Sequence, residues 1–414
     1  MTIRVMFVAS SVFALGEAII AQSFARRLDP AAFSCSFVIS QNAARLFEGG
    51  DYPYLILIGA QPLLNKVLLG EFVRVNQPDV IVLADYYTLA HSRACYGLDI
   101  ETLRQYERPL ISFDIYEWES SDFRVDFFDG RVKEMSRGIS ELPVHLRPCP
   151  LNRPGAGSEK YFPYSLFDPA AYRAPAPRRD LRARHGFAQG EKVVFMATAG
   201  WQSWLYQNNP DRRFGDCLPE LYQLILDGLG CDLTLLHVGP EPLCFSSPRL
   251  NYRHLDFASP ALFDDLLALS DLCLTNNVIA TTLTKAVHFG VPAAMLGNSH
   301  SIESAEGIEA FSAFTLSDEV RALARRAGRV FPYRMAPLGW HRFVSRLLRD
   351  NAYLETFADL EILDVEGCRQ TLVELLAESP ARQAMEARQA GYLSGLKDLR
   401  APGEVMRGVM EVCA

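Results

Sequence analysis

The sequence predicts an α/β protein made of two similar halves, each a parallel sheet with helices on both faces. Three observations favour this fold class. Apolar runs at 79–84 and 110–113, typical of strands buried on both faces, alternate with stretches of helical periodicity. The alternation stops in a proline-dense stretch at 146–177 and then resumes. The chain has 414 residues, which is enough for two domains of ordinary size.

The first half is predicted to begin with a strand and an amphipathic helix. The expected strands are 3–9, 33–39, 54–57, 79–84 and 110–113, and the expected helices are 16–28, 43–47 and 62–75. The stretch 146–177 has no clear periodicity and several aromatic residues, so we expect an ordered connection between the halves.

The second half repeats the pattern. Strands are expected at 192–198, 233–238, 250–255, 272–274 and 293–296, with helices at 218–229, 261–269 and 281–289. In the last part of the chain, helices are expected at 342–348, 366–376 and 381–396. Ligands of such sheets bind at the carboxyl ends of the strands, so two halves of this kind predict a cleft between those ends.

Composition excludes several classes of protein. The net charge of −8 and the pI near 5.6 argue against a general binder of nucleic acid or of anionic membranes. The nine cysteines include no CxxC pair, and several lie in apolar strands, which is typical of a reducing cytoplasm. The first residues read as a strand and not as a signal peptide, and no apolar run approaches the ~20 residues that span a bilayer.

The most informative segment is 266–296. A buried strand ends in the polar residues Thr275, Asn276 and Asn277, and the helix 281–289 follows and stops at Gly290 before Pro292. Such a unit presents a helix N-terminus to a phosphate-bearing ligand. One face of the helix is apolar, and the other carries Thr281, Lys285 and His288, which is either a solvated face or a ligand face.

These parts together resemble the GT-B superfamily of nucleotide-sugar glycosyltransferases. The resemblance rests on two Rossmann-like halves with a proline-rich crossing and on the order of segments 235–240, 250–272 and 266–296 in the second half. The chain has Thr275, Asn276 and Asn277 where many members have a His-Gly-Gly turn. The resemblance implies an α/β fold of two Rossmann-like domains facing each other across a cleft.

The resemblance also implies a domain division and an activity. Residues 1–150 would form the acceptor side, 151–180 the connection and 181–414 the donor side, with C-terminal helices packing back on the first domain. The expected reaction is metal-independent transfer of a sugar from a nucleotide-sugar to a hydroxyl of a small molecule, glycan or protein. No cofactor, metal ion or nucleic acid is expected.

Donor binding is assigned to the second half. The diphosphate would lie at the start of the helix 281–289, where backbone N–H groups and hydroxyls act as donors. The candidate donor-binding residues are Gly200, Trp201, His237, Gly239, Asp256, Phe257, Asn276, Asn277, Thr281, Thr282 and Lys285. Simple helix capping by Asn277 or Thr281, and core packing of His237, are the structural alternatives.

Lys285 is the main departure from the superfamily. Members commonly have Glu at this helical position, where it accepts hydrogen bonds from ribose hydroxyls, and Lys cannot accept. Either the ribose is held otherwise, the donor has an additional anionic group, donor binding has been lost, or Lys285 is a surface residue.

Glu17 is the candidate base, with Asp114 as the second candidate. Glu17 follows the first loop, where many members have His, and burial would raise its pKa into a useful range. Its alternative role is to stabilise the helix dipole. The acceptor would contact Ser11, Phe13, Tyr116, Glu117 and Trp118, since aromatic groups beside carboxylates suit sugars. For Trp118, packing against a helix is the alternative.

Two rival functions remain open. The first is a sugar-nucleotide epimerase or hydrolase on the same fold, which needs no acceptor. The second is a GT-B-like auxiliary or binding protein that has lost transfer activity, for which Lys285 and the absence of a Gly-His pair at Gly16 are the arguments.

Overall fold

A computed structural model describes residues 2–12, 14–155, 157–208 and 212–413. The strands are β1 (Ile3–Ala9), β2 (Phe33–Ser40), β3 (Tyr54–Leu57), β4 (Val80–Leu83), β5 (Leu110–Phe113), β6 (Arg124–Asp126), β7 (Val132–Glu134), β8 (His145–Cys149), β9 (Tyr161–Ser165), β10 (Lys192–Ala197), β11 (Leu233–Val238), β12 (Leu250–Leu255), β13 (Leu272–Thr275), β14 (Ala293–Gly297) and β15 (Ala358–Glu361).

The α-helices are α1 (Gly16–Ala25), α2 (Pro62–Asn76), α3 (Tyr86–Tyr96), α4 (Ile100–Arg104), α5 (Arg178–Arg184), α6 (Gly200–Asn208), α7 (Arg212–Asp227), α8 (Pro260–Ala268), α9 (Thr281–Phe289), α10 (Ala305–Glu309), α11 (Asp318–Ala327), α12 (His341–Leu347), α13 (Val365–Leu376), α14 (Pro380–Gly395) and α15 (Pro402–Cys413). Short 3₁₀ helices occur as well, and the helix expected at 43–47 is one of them, Gln41–Leu46. None of the described helices combines the length and apolar character needed to cross a bilayer.

The chain divides into two compact units. The first comprises Met1–Phe123, Met135–Pro169 and Leu396–Ala414, and the second comprises Arg124–Glu134 and Ala170–Gly395. The hairpin of β6 and β7 therefore groups with the second unit, where Asp126 accepts hydrogen bonds from the amides of Arg342 and Phe343. Helix α15 groups with the first unit, in which it packs on β9.

The first unit is built on a seven-stranded sheet with the order β3-β2-β1-β4-β5-β8-β9. Every pair in it is parallel. The central strands β4 and β5 are buried along their whole length, which explains their unbroken apolar sequences. The strand order reverses between β1 and β4, and open α/β sheets bind ligands at such a switch point.

The stretch 146–177, expected to be an ordered connection between the halves, instead contains strands of the first sheet. β9 and all but the first residue of β8 lie in this stretch and extend the first sheet, with His145 paired to Tyr161 and Cys149 to Ser165. Prolines interrupt the alternation that would have indicated strands. Pro163 is tolerated because β9 is an edge strand, in which one side of the backbone has no strand to bond.

The second unit is built on a six-stranded sheet with the order β12-β11-β10-β13-β14-β15, again entirely parallel. Its switch point lies between β10 and β13. The predicted stop of α9 is confirmed, because Gly290 adopts φ 66°, a left-handed conformation that favours glycine. The predicted fold class, α/β with two Rossmann-like halves, is confirmed by the two sheets.

Candidate functional site

Three carboxyl groups lie at the carboxyl edge of the first sheet. Glu17 is in the first turn of α1, after the loop that follows β1, while Asp85 and Asp114 directly follow β4 and β5. These strands are neighbours in the order β1-β4-β5, so the three side chains come from adjacent strand ends around the switch point. All three are buried, at 9%, 7% and 1% exposure respectively.

Glu17 has the properties of a proton acceptor. Its Oε2 has no hydrogen-bond partner within the described part of the chain. Burial raises its pKa from 4.5 to about 7, and a backbone hydrogen bond offsets part of this increase. Ser10 Oγ, on the loop after β1, is also buried and has no described partner. A carboxyl group of this kind exchanges its proton near neutral pH.

Asp85 was not identified from the sequence. Its Oδ1 accepts a hydrogen bond from the Tyr87 amide at 2.9 Å, which caps α3. Burial first, and then repulsion from Glu17, raise the pKa of Asp85 to about 8. A signal was present, since an aspartate follows a fully buried strand at 85 as another does at 114.

Asp114 is held by neighbours on both oxygens. Its Oδ1 accepts from the Trp118 amide at 3.1 Å, and its Oδ2 accepts from Nε and Nη2 of Arg147 at 3.3 and 3.2 Å. The ring Nδ1 of buried His145 is 3.6 Å from Oδ2. The arrangement gives Asp114 the geometry of a residue that orients Arg147.

The candidate acceptor residues lie in different environments. Ser11 Oγ accepts from the Ala14 amide at 3.0 Å, and Phe13 lies outside the described residues. Tyr116 is half-buried, and burial together with Asp85 and Glu17 raises its pKa well above the ordinary value. Trp118 is 1% exposed and packs on Tyr87 of α3 with ring centroids 4.2 Å apart, as the packing alternative expects.

In the second unit, a buried hydrogen-bond network fills the switch point. Gln202 of α6 donates to Asn276 Oδ1 at 2.9 Å and to the Ala336 carbonyl at 2.8 Å. Asn276 Nδ2 in turn donates to the hydroxyls of Tyr222 and Tyr206 at 2.8 and 3.2 Å. The side-chain amide of Asn276 is therefore engaged by protein groups.

The Asn277 side chain forms a hydrogen bond with the protein backbone, whereas the first residues of α9 have no side-chain cap. Asn277 Oδ1 accepts from the Ile279 amide at 3.1 Å. The residue before α9 is Ala280, which has no capping side chain, so the predicted capping by Asn277 or Thr281 does not occur. Thr281 is half-buried and Thr282 is 9% exposed. No side chain in the described part of the chain caps this N-terminus, which is the kind of helix end that a phosphate can bind.

Lys285 is buried, so of the alternatives for this residue a surface lysine is excluded. Its Nζ lies 2.6 Å from Asp264 Oδ1 of α8 and 5.1 Å from the centroid of the Phe263 ring. Asp264 Oδ2 also accepts from the Tyr172 hydroxyl at 2.7 Å. The polar face of α9 is covered by these groups and is not solvated, since Lys285 and His288 are 8% and 4% exposed.

His237 and Gly239 lie at the carboxyl end of β11. His237 bonds the hydroxyls of Thr198 and Tyr252 at 2.8 and 2.7 Å. Burial, and then His254, lower the pKa of His237 to about 4, so the ring is neutral at pH 7. A Cβ on Gly239 would approach both His237 and Thr198 to 3.0 Å, which explains the glycine.

The remaining donor candidates are more accessible. Gly200 and Trp201 begin α6 beside the switch point, and Trp201 is half-buried. Asp256 is exposed and Phe257 half-buried, directly after β12. No cluster of His, Cys, Asp and Glu that could hold a metal ion is found in the described ranges.

Solved structures with the same architecture are numerous, with 279 matching chains. The spinosyn forosaminyltransferase SpnP aligns over 100% of both chains at 14% identity with a TM-score of 0.57. HepE of Anabaena, solved with UDP and glucose, aligns over 99% of both chains at 13% identity with a TM-score of 0.51.

A protein of Listeria monocytogenes described as a UDP-N-acetylglucosamine 2-epimerase aligns over 93% of this chain and 91% of its own, at 13% identity with a TM-score of 0.51. These likenesses confirm the GT-B fold predicted from the sequence. No curated protein sequence matches the chain. The model of one sequence family does match it, over residues 24–414, and the chain therefore belongs to DUF6365, a family of unknown function.

Proposed function

We propose that the protein transfers a glycosyl group from a nucleotide-sugar donor to a hydroxyl acceptor without a metal ion. The observation that carries the proposal is the environment of Glu17. A buried carboxyl group with a pKa of about 7, whose Oε2 has no partner among the described residues, can accept a proton from an acceptor hydroxyl at neutral pH. Its place at a strand end beside the switch point is where such sheets bind ligands.

Between the two candidate bases, the contacts favour Glu17. Asp114 uses both carboxylate oxygens to accept from Trp118 and Arg147. A base must direct an oxygen at the proton it removes, and Glu17 Oε2 is not otherwise used among the described residues. We assign Asp114 the role of orienting Arg147.

For the donor, we propose that the diphosphate binds at the N-terminus of α9. Thr281 and Thr282 would supply hydroxyl and backbone donors there, and the helix dipole favours the negative charge. The engagement of Asn276 by two tyrosines and of Lys285 by Asp264 leaves these two threonines as the principal donors. The structural neighbours support a nucleoside diphosphate as ligand, since HepE was solved with UDP and another neighbour, VinC, with dTDP.

Calorimetry with UDP and dTDP tests the donor site. We expect binding by the wild-type protein and about tenfold weaker binding by Thr281→Ala and Thr282→Ala, because each removes a hydrogen bond to a charged group. Thr315→Ala, which changes an exposed threonine of the same unit, is the matched control. If neither diphosphate binds, the proposal fails, and the non-catalytic role to which the engaged Lys285 and Asn276 point is favoured.

One second function has a specific observation in its favour. The pKa values of about 7 for Glu17 and about 8 for Asp85 provide a pair of carboxyl groups that can hold and release a proton at neutral pH, as epimerisation or hydrolysis of the donor requires. Incubation with UDP-N-acetylglucosamine alone separates the two functions. Free sugar or an epimer formed without acceptor would favour this rival.

We also propose that the protein acts in the cytoplasm. The nine cysteines are all free thiols, and those in strands, such as Cys35 and Cys273, are buried among apolar side chains. Free thiols are the normal state in a reducing compartment. Expression of the intact chain with a fluorescent tag, followed by fractionation, checks this.

A further inference from the structure

The first unit contains a pocket to which the proposed transfer reaction assigns no role. Its volume is about 320 Å³, the small end of the range for ligand pockets. The polar side chains that line it are Arg147 of β8, Tyr161 of β9, Glu117 of the turn after β5 and Arg153 of the loop after β8. The lining thus holds two guanidinium groups and one carboxylate, and a second carboxylate, Asp114, pairs with Arg147 from behind.

Arg147 is held rigidly at one wall of this pocket. Its Nε and Nη2 donate to Asp114 Oδ2, and its guanidinium lies over the Tyr161 ring, 3.7 Å from the centroid. The side chain is 15% exposed. These contacts fix the plane of the guanidinium while Nη1 donates no hydrogen bond within the described ranges, so a donor is positioned in advance for a ligand.

Arg153 and Glu117 complete the polar lining. Nη2 of Arg153 and Nη1 of Arg147 lie 3.7 and 3.9 Å from Glu117 Oε2, beyond hydrogen-bond distance. Both guanidinium groups therefore form ion pairs with Glu117 Oε2 without donating a hydrogen bond to it. Glu117 is fixed by the Arg153 amide, which donates to its Oε1 at 3.2 Å, and it adopts φ 43°, a left-handed conformation that is strained for a non-glycine residue.

We propose that this pocket binds the carboxylate of a hydroxylated acceptor, such as the acid group of a sugar acid. The two arginines would donate to the carboxylate, whose planar geometry matches the guanidinium fork. Glu117 Oε2 would accept from a hydroxyl of the same ligand, since a carboxylate can only accept. Tyr161 and the prolines of the lining supply apolar contact for the sugar face.

This inference rests on the proposed transfer reaction, because the ligand of the pocket is an acceptor only if that reaction takes place. The strand order separates the two sites, since β1, which leads to Glu17, and β8, which carries Arg147, have β4 and β5 between them. Three strand spacings amount to roughly 14 Å. An acceptor that reaches from the pocket to Glu17 is therefore longer than one sugar ring, with its acid group distant from the reacting hydroxyl.

The test compares glucuronate with glucose, which share a pyranose ring and differ in the carboxylate. Binding to the full chain is measured by ligand-observed NMR, without any nucleotide-sugar. We expect glucuronate to bind, glucose not to compete with it, and Arg153→Gln to weaken glucuronate binding about tenfold. Arg153 is 46% exposed, so its substitution leaves the fold intact, which circular dichroism verifies.

Arg104→Gln is the matched control, because Arg104 belongs to the same unit, is 39% exposed and pairs with exposed glutamates away from the pocket. It should bind glucuronate as the wild type does. Equal binding of glucose and glucuronate, no binding of either, or an unchanged affinity in Arg153→Gln would overturn the pocket assignment. A protein that binds glucuronate but neither UDP nor dTDP would instead reject the transfer reaction and leave the pocket standing.

Discussion

The Lys285 ammonium of α9 lies 2.6 Å from the Asp264 carboxylate of α8, and both side chains are largely buried, at 10% and 17% exposure. The pair explains how a lysine is accommodated where the superfamily commonly has a glutamate. Its charge is balanced within the second unit, and Tyr172 donates to the second oxygen of Asp264. The lysine therefore connects α8 and α9, two helices of the second unit.

Breaking this pair should be costly. We expect Lys285→Ala to lower the free energy of unfolding by about 3 kcal/mol, because it leaves a partly buried carboxylate without its counter-charge. Urea denaturation measures the loss, and the double variant Lys285→Met/Asp264→Leu should recover most of it. Arg104→Ala, which breaks exposed pairs, is the control and should cost less than about 1 kcal/mol. A similarly small loss for Lys285→Ala would contradict a structural role for the pair.

Glu17→Gln should change how stability depends on pH. Burial raises the pKa of Glu17 from 4.5 to about 7, so the folded protein holds this proton at pH values where the unfolded chain has lost it. The contribution of Glu17 to the free energy of unfolding is therefore greatest below pH 4.5, falls as the pH rises to about 7 and is level above.

Glutamine carries no charge at any pH. We therefore expect Glu17→Gln to exceed the wild type in stability by about 3 kcal/mol near pH 8 and to match it near pH 4. Thermal unfolding across this range gives the difference. A difference that does not change with pH would mean that Glu17 titrates at its ordinary value.

The same substitution should act on Asp85. Repulsion from Glu17 contributes to the elevated pKa of Asp85, about 8, so Glu17→Gln should move that pKa downward. The Tyr87 amide donates to Asp85 Oδ1 and reports its ionisation, so its NMR shift can be followed against pH. Asp85→Asn, which keeps an N-cap for α3, should abolish the titration of the Tyr87 signal and serves as the control. No movement on Glu17→Gln would show that the two groups do not interact.

The two asparagines after β13 should differ in their effect on stability. Asn276→Ala removes the amide group that donates to the hydroxyls of Tyr206 and Tyr222. We expect it to lower the free energy of unfolding by about 2–4 kcal/mol. Among the described residues, the Asn277 side chain accepts one hydrogen bond, from the Ile279 amide, so Asn277→Ala should cost about 1 kcal/mol. Urea denaturation of both variants, with Thr281→Ala as a third that stays within about 0.5 kcal/mol, separates structural from ligand-binding roles.

If the proposed reaction is correct, its rate should follow the ionisation of Glu17. The base must be unprotonated, so kcat/KM should increase as the pH rises through about 7 and then level off. Glu17→Gln should lower the rate by about 10²–10⁴-fold and remove this rise. A pH profile that is unchanged in Glu17→Gln would assign the base to another residue.

Local sequence patterns were sufficient to predict much of the fold. The apolar runs of β4, β5 and β13 and the glycine after α9 are signals within a few residues, and each was read correctly because burial on both faces and a left-handed stop leave a mark in the sequence itself. β8 and β9 could not be predicted because their prolines break the alternation. They form strands because they pair with each other and, through β8, with β5.

The sites depended more on contacts between distant residues. Glu17 could be named from its position after the first loop, but its raised pKa follows from its burial in the folded unit. Asp264 is 21 residues from Lys285, and Arg147 is 33 from Asp114, so neither partner is visible in a local pattern. Periodicity and turn residues act over a few positions and determine the elements, whereas charge pairing, burial and pocket lining arise only when packing brings separate elements together.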